Sequence, residues 1–132
     1  MDAARRMHPA FNRAFTQGDD DELFELLDPE AEWIPITAGL DGTSYQGEPA
    51  IRGWMEEMKR QWEVFATRPE EFIDLGDDRV LVLGTWQARG RGSGVELDSQ
   101  QAGWLVQCKA GKVIRMQTFT DRGRALETAG FR

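Results

Sequence analysis

Apolar residues recur at the 3.6-residue period of a helix in the first half of the chain and at the period of two of a strand in the second. Met7, Phe11, Ala14 and Phe15 share one helical face, which Gly18 ends. Pro9 lacks an N–H and fits only near the start of a helix, so residues 1–8 are expected to form a separate turn. Asp19, Asp20 and Asp21 offer a cap and favourable charge to a second helix carrying Leu23, Phe24, Leu26 and Leu27, which stops at Asp28-Pro29. Residues 31–36 read as a short strand whose end Pro35 bends, and residues 37–47 as a loop. Pro49 suits the first turn of the longest helix. Its face holds Ile51, Trp54, Met55, Met58, Trp62 and Phe65, and it ends before Arg68-Pro69.

Beyond that point the alternation is strand-like. Residues 70–75 lead to a Gly-Asp-Asp turn, and residues 79–89, 95–109 and 112–120 form three strands, the last two joined at Ala110-Gly111. Asp121 can cap a short final helix that Gly130 ends. Helices followed by a meander of strands give an α+β layout, with helices on one face of a curved sheet. The glycine-rich run ARGRGSG lies between two strands. A phosphate-binding loop needs a helix after it, so the run reads as a hairpin turn around Gly92-Ser93. That turn sets Arg89 opposite Glu96, Gln87 opposite Asp98 and Trp86 opposite Ser99.

The chain has 132 residues, the size of one domain with one core. No apolar stretch approaches the length of a membrane span, and no apolar run follows the basic residues at the N-terminus, so neither membrane anchoring nor a signal peptide is expected. The single cysteine, Cys108, cannot form an internal disulfide, which fits a cytoplasmic location. Net charge is −7 and uneven: −12 over residues 1–78 and +5 over residues 79–132. A nucleic-acid partner would call for a basic excess over the domain, and none is expected. The asymmetry fits an acidic helical layer over a mildly basic sheet; a sheet-lined pocket that prefers an anionic or electron-rich ligand is the sharper alternative.

The segments AFTQGDDDELFELLDPEAEW, YQGEPAIRGWMEEMKRQW and GKVIRMQTFTDRGRALETAGF, in this order, resemble the SnoaL-like proteins of the nuclear transport factor 2-like superfamily. The resemblance spans roughly residues 9–131. It implies a cone-shaped α+β barrel, a single domain in which three helices pack on a strongly curved, mixed, mostly antiparallel sheet that encloses a pocket. It also implies a homodimer formed through the outer sheet face. Function does not follow from the fold alone, because the superfamily hosts enzymes and binding modules on one scaffold.

Each chemistry of the superfamily can be set against the residues. The ketosteroid isomerases use a carboxylate base before a proline, a tyrosine and a protonated aspartate; the corresponding positions here are Ile34, Phe11 and Gly103, none of which has the required polar group. The limonene epoxide hydrolases need an aspartate where this chain has Thr118. The polyketide cyclases need little more than one acid/base group in an apolar pocket, so they remain compatible. His8, the sole histidine, is expected at the frayed start of the first helix, and Asp121 is expected to be a helix cap. Glu32 and Asp98 are expected at the surface, since buried lone carboxylates are costly. One His and one Cys far apart offer no zinc pattern, so neither metal nor cofactor is expected.

Strand alternation then gives a candidate pocket. If Gly103 faces into the cone, so do Gln101 and Leu105, and the hairpin pairing turns Val82, Gly84 and Trp86 the same way. The isomerase comparison adds Ile34, Met116, Thr118 and Thr120, and the helices add Phe11, Phe15, Trp54, Met58 and Trp62. Trp104, Val106 and Cys108 fall on the outer face, where they suggest a covered dimer surface. Tyr45, in the candidate lid 37–47, can point inward or lie on the surface. Such a lining suits an apolar or aromatic small molecule, acted on by isomerase- or cyclase-like acid/base chemistry. The alternative is a non-catalytic dimerisation or interaction domain whose five tryptophans fill its core.

Overall fold

A computed structural model describes residues 2–35, 44–92 and 95–130. The chain runs through α1 (Asp2–Gln17), α2 (Asp21–Leu26), β1 (Leu27–Ile34), β2 (Tyr45–Gln46), α3 (Glu48–Gln61), β3 (Trp62–Gly76), β4 (Arg79–Gly90), β5 (Glu96–Lys109), β6 (Lys112–Phe119) and α4 (Arg122–Thr128). Its six strands form one sheet in the order β2-β1-β6-β5-β4-β3. The β1–β6 pair is parallel and the other pairs are antiparallel. This is the mixed α+β cone expected.

The main core lies between the sheet and α1, α2 and α3, and includes Met7, Phe11, Leu23, Trp33, Ile51, Trp54, Val82, Trp104 and Val106. A second, smaller cluster lies on the other face of the sheet, where Leu81, Leu83 and Leu105 pack against Ala125 and Ala129 of the α4 segment. Asp121 caps α4, accepting from the N–H groups of Gly123 at 2.8 Å and Arg124 at 3.4 Å. Asp121→Ala is expected to cost about 1 kcal/mol, read as a lower Tm with the main core unchanged by near-ultraviolet circular dichroism.

Several boundaries differ from the sequence pattern, each because tertiary pairing wins over local period. Pro9 does not begin α1 but sits inside it, on the exposed side. Its missing hydrogen bond costs about 3 kcal/mol. Burial of Met7 and Phe11, about 2 kcal/mol each, offsets that cost. Residues 2–8 are therefore part of α1 and not a separate turn: Ala3, Ala4, Met7 and His8 are buried along the helix. The strand β1 begins at Leu27, through Asp28-Pro29, rather than at residue 31. Within the stretch read as a loop, Tyr45 and Gln46 pair with Trp33 and Glu32, and Tyr45 packs on the core, 6.4 Å from Trp54 between ring centroids. The rest of that loop falls largely outside the described residues, as do Ser93 and Gly94 of the hairpin turn.

The long helix ends at Gln61, and Trp62 and Phe65 belong to β3. Their spacing of three satisfies a helix equally well, but β3 pairs with β4 from Trp62 to Gly76. Pro69 is tolerated because β3 is the edge strand and because the register shifts there. A second irregularity decides which face β5 presents. The hairpin starts as expected, with Arg89 opposite Glu96, but Asp98 and Ser99 together stand against Gln87. Ser99 has a φ of 48°, in the left-handed region. This bulge sets Trp86 opposite Gln100 rather than Ser99, and Val82 opposite Trp104 rather than Gly103. One extra residue turns every later side chain of β5 to the other face.

Candidate ligand cavity

Two adjoining hollows share Thr67 and Trp86 in their linings. The inner one is lined by Met7, His8 and Phe11 of α1, Trp54 of α3, Trp33 and Pro35 at the end of β1, Phe65 and Thr67 of β3, Trp86 of β4, Trp104 of β5, and Met116 and Thr118 of β6. Its free space is about 30 Å³, room for about one or two waters. The outer one is more polar, holds about 270 Å³, and is lined by Ala66, Thr67, Arg68, Thr85, Trp86, Gln87 and Ser99. Thr67 and the half-buried Trp86 belong to both walls.

Aromatic rings set the shape of the inner hollow. Phe11 lies 6.1 Å from Trp33, 6.0 Å from Trp54 and 6.1 Å from Phe65, and Phe65 stacks on Trp86 at 5.6 Å. The indole N–H groups of Trp33, Trp54 and Trp86 are buried without a partner among the described residues. Buried polar atoms without partners are uncommon, and here three belong to residues that line one hollow and have no acceptor among the described residues.

Among the described residues, His8 is the one ionisable member of that wall. It is 2% exposed, on the turn of α1 before Phe11. Its Nδ1 lies 2.9 Å from Thr67 Oγ1, its ring meets Trp104 edge-on at 4.5 Å, and its Nε2 is buried with no partner among the described residues. Burial lowers its pKa from 6.5 to about 4, because the cation would lose its hydration. The imidazole is therefore neutral at pH 7. Asn12, one turn further on, donates from Nδ2 to the Thr67 carbonyl at 2.8 Å and accepts at Oδ1 from the Thr67 N–H at 2.9 Å and from Thr67 Oγ1 at 3.3 Å. Its amide thus completes the free edge of β3 and holds Thr67 against His8.

Of the residues expected to line a pocket, Phe11, Trp54, Trp86, Met116 and Thr118 surround the inner hollow. Phe15, Met58 and Val82 are buried in the main core beside it, and Trp62 is half-buried against that core. Gln101, Gly103 and Leu105 lie on the opposite face, because of the bulge at Ser99. Gly103 is opposite Leu83, and a Cβ there would come within 2.6 Å of Ala125 Cβ in α4. Gly84 faces β3 closely and does not widen the hollow. Ile34 is one residue out of phase with Trp33, and Thr120 is exposed beyond β6. Trp104 and Val106 correspondingly face the main core, and Cys108 packs against it, so they are not an outer apolar surface.

Sequence reasoning passed over Met7, His8, Trp33, Pro35, Phe65, Thr67 and Trp104. The spacing from His8 to Phe11 and Phe15 is three and then four, which is one helical face; taking Pro9 as the helix start concealed it. Thr67 stands two residues from Phe65, the strand period. Glu32 is at the surface in an ion pair with Arg115 at 2.9 Å, and Asp98 is exposed, as expected. Among the described residues, no group of acidic, histidine and cysteine side chains could hold a metal ion, and no helix is long and apolar enough to cross a membrane.

Comparison with known proteins agrees with the fold. Residues 9–116 match the family model described as a SnoaL-like domain. No curated protein matches at a significant level. Among solved structures, an NTF2-like protein of unknown function from Burkholderia pseudomallei is 18% identical, with a TM-score of 0.74 over 98% of this chain and 96% of that one. TerC, co-crystallised with polyporic acid, is 22% identical, with a TM-score of 0.73 over 96% and 98%. A candidate polyketide cyclase from Sinorhizobium meliloti is 22% identical, with a TM-score of 0.64 over 90% and 94%. At these identities the likeness establishes the fold.

Proposed function

The chain belongs to the SnoaL-like domain family, and from that membership we propose that its cone binds a flat, apolar, oxygen-bearing small molecule and acts on it by acid/base chemistry of the isomerase or cyclase kind. The observation that carries this reading is the composition of the inner wall: rings and methionines, with three unpartnered indole N–H groups and one neutral imidazole. Rings favour a flat ligand, the indoles favour carbonyl oxygens, and the imidazole supplies the single acid/base group that such chemistry requires. TerC, of the same fold, was co-crystallised with polyporic acid.

A ring does not fit into 30 Å³. The outer hollow, which shares Thr67 and Trp86 with the inner one, supplies room if the Trp86 indole turns, and Met7 and Met116 are unbranched side chains that repack easily. The small free space is also the observation that favours a second reading, an interaction domain with a filled core. Tryptophan-fluorescence titration separates them. Flat aromatic ketones are expected to quench saturably and straight-chain fatty acids much less. Thr118→Phe, which fills the wall, should weaken that quenching about tenfold, the loss of roughly one well-made contact. An unresponsive protein across the whole panel would favour the filled core.

A further inference from the structure

The hydrogen-bond chain behind His8 determines what the imidazole can do. Asn12 has one orientation only, because its Nδ2 and Oδ1 are both bonded to the Thr67 backbone, at 2.8 and 2.9 Å. The remaining lone pair of Oδ1 faces Thr67 Oγ1 at 3.3 Å. A hydroxyl has one hydrogen. If Thr67 Oγ1 donates to Asn12, it must accept from His8, and the hydrogen between them, over 2.9 Å, belongs to His8 Nδ1. A neutral imidazole with hydrogen on Nδ1 has none on Nε2. The Nε2 atom is buried, unpartnered among the described residues, and part of a residue that lines the hollow.

We propose that His8 is the hydrogen-accepting group of this site, held by Asn12 and Thr67 in the tautomer with a bare Nε2, and that the ligand it selects carries an acidic hydrogen of the phenol or enol kind on a flat apolar frame. The proposal rests on the reading of the hollow as a ligand site. Asn12 and Thr67 are positioning residues: neither needs to touch the ligand for the tautomer to be fixed. The competing arrangement places hydrogen on Nε2, where it meets no acceptor among the described residues. In that case Thr67 donates to Nδ1, and His8 is a structural donor with nothing to accept.

Two measurements test this on the full chain. The first is a nitrogen–hydrogen correlation spectrum of the His8 ring at pH 7, without ligand. Hydrogen on Nδ1 is expected in the wild type, and a mixture of tautomers in Thr67→Val, which keeps the shape of the side chain and removes the hydroxyl. Hydrogen on Nε2 in the wild type overturns the proposal. The second compares binding of 2-naphthol and 2-methoxynaphthalene, which share a frame and differ in the donor. The naphthol is expected to bind about tenfold tighter, the effect of one buried hydrogen bond. That preference should vanish in His8→Phe. Equal binding of both probes removes His8 from recognition while leaving the ligand site standing. Binding of neither, with an Nδ1 hydrogen in the spectrum, rejects the ligand site and the ligand class with it.

Discussion

Gly84→Ala should destabilise the protein by at least about 3 kcal/mol, one of the largest losses available to a single methyl group. The cause is local and rigid. A Cβ at Gly84 would come within 2.1 Å of the Arg68 carbonyl oxygen and 3.0 Å of Pro69 Cα, all of it backbone that cannot swing aside. Gly84 is opposite Pro69, where β3 carries an extra residue and bends toward β4. The bend needs the glycine, and the inner hollow needs the bend, because Thr67 and Trp86 flank it. Gly53→Ala is the contrast. It lies on the exposed side of α3 with open space around it, and should gain about 0.5–1 kcal/mol from the better helix former. Urea denaturation of the two variants checks the pair, and near-wild-type stability of Gly84→Ala would refute the close approach.

The second large effect is a pH dependence centred on His8. In the unfolded chain the imidazole takes a proton near its ordinary 6.5; in the folded chain burial lowers that to about 4. Between those values the unfolded state holds more protons, so stability rises with pH. The contribution is complete above about pH 6.5, falls away as the pH drops toward 4, and changes no further below that. Across the window it amounts to about 3 kcal/mol. Carboxylates also titrate there, so the measurement is a difference. Denaturation of wild type and of His8→Phe between pH 4 and pH 7 should show the wild type losing about 3 kcal/mol more than the variant on acidification. Parallel profiles would mean that His8 is not buried as the structure has it.

The same residue shows where reading along the chain failed. His8 lies on the buried face of α1, three residues before Phe11, yet Pro9 argues for a helix that starts after it. A proline in the interior of a helix is unfavourable on local grounds, and only the packing of Ala3, Ala4 and Met7 against the rest of the protein overrides it. Trp104 failed for a different reason. Alternation along β5 is regular, and the turn residues set the right first pair, Arg89 with Glu96. The bulge at Ser99 has no glycine or proline to announce it, and it reverses the face of everything that follows.

What the sequence determined by itself was the kind of structure: helices first, long antiparallel strands after, the Asp121 cap, the turn at Ala110-Gly111, and a resemblance strong enough to name the cone. These follow from period, turn chemistry and capping, which act over a few residues and leave their mark in the order of side chains. Tertiary structure alone decided which residues meet in the hollow. That choice depended on a strand register set by one extra residue, on an edge strand completed by Asn12, and on a proline kept inside a helix by burial. Each of these is a balance between a local cost and contacts made with residues far away in the chain, and such a balance is resolved only when the distant partners are in place.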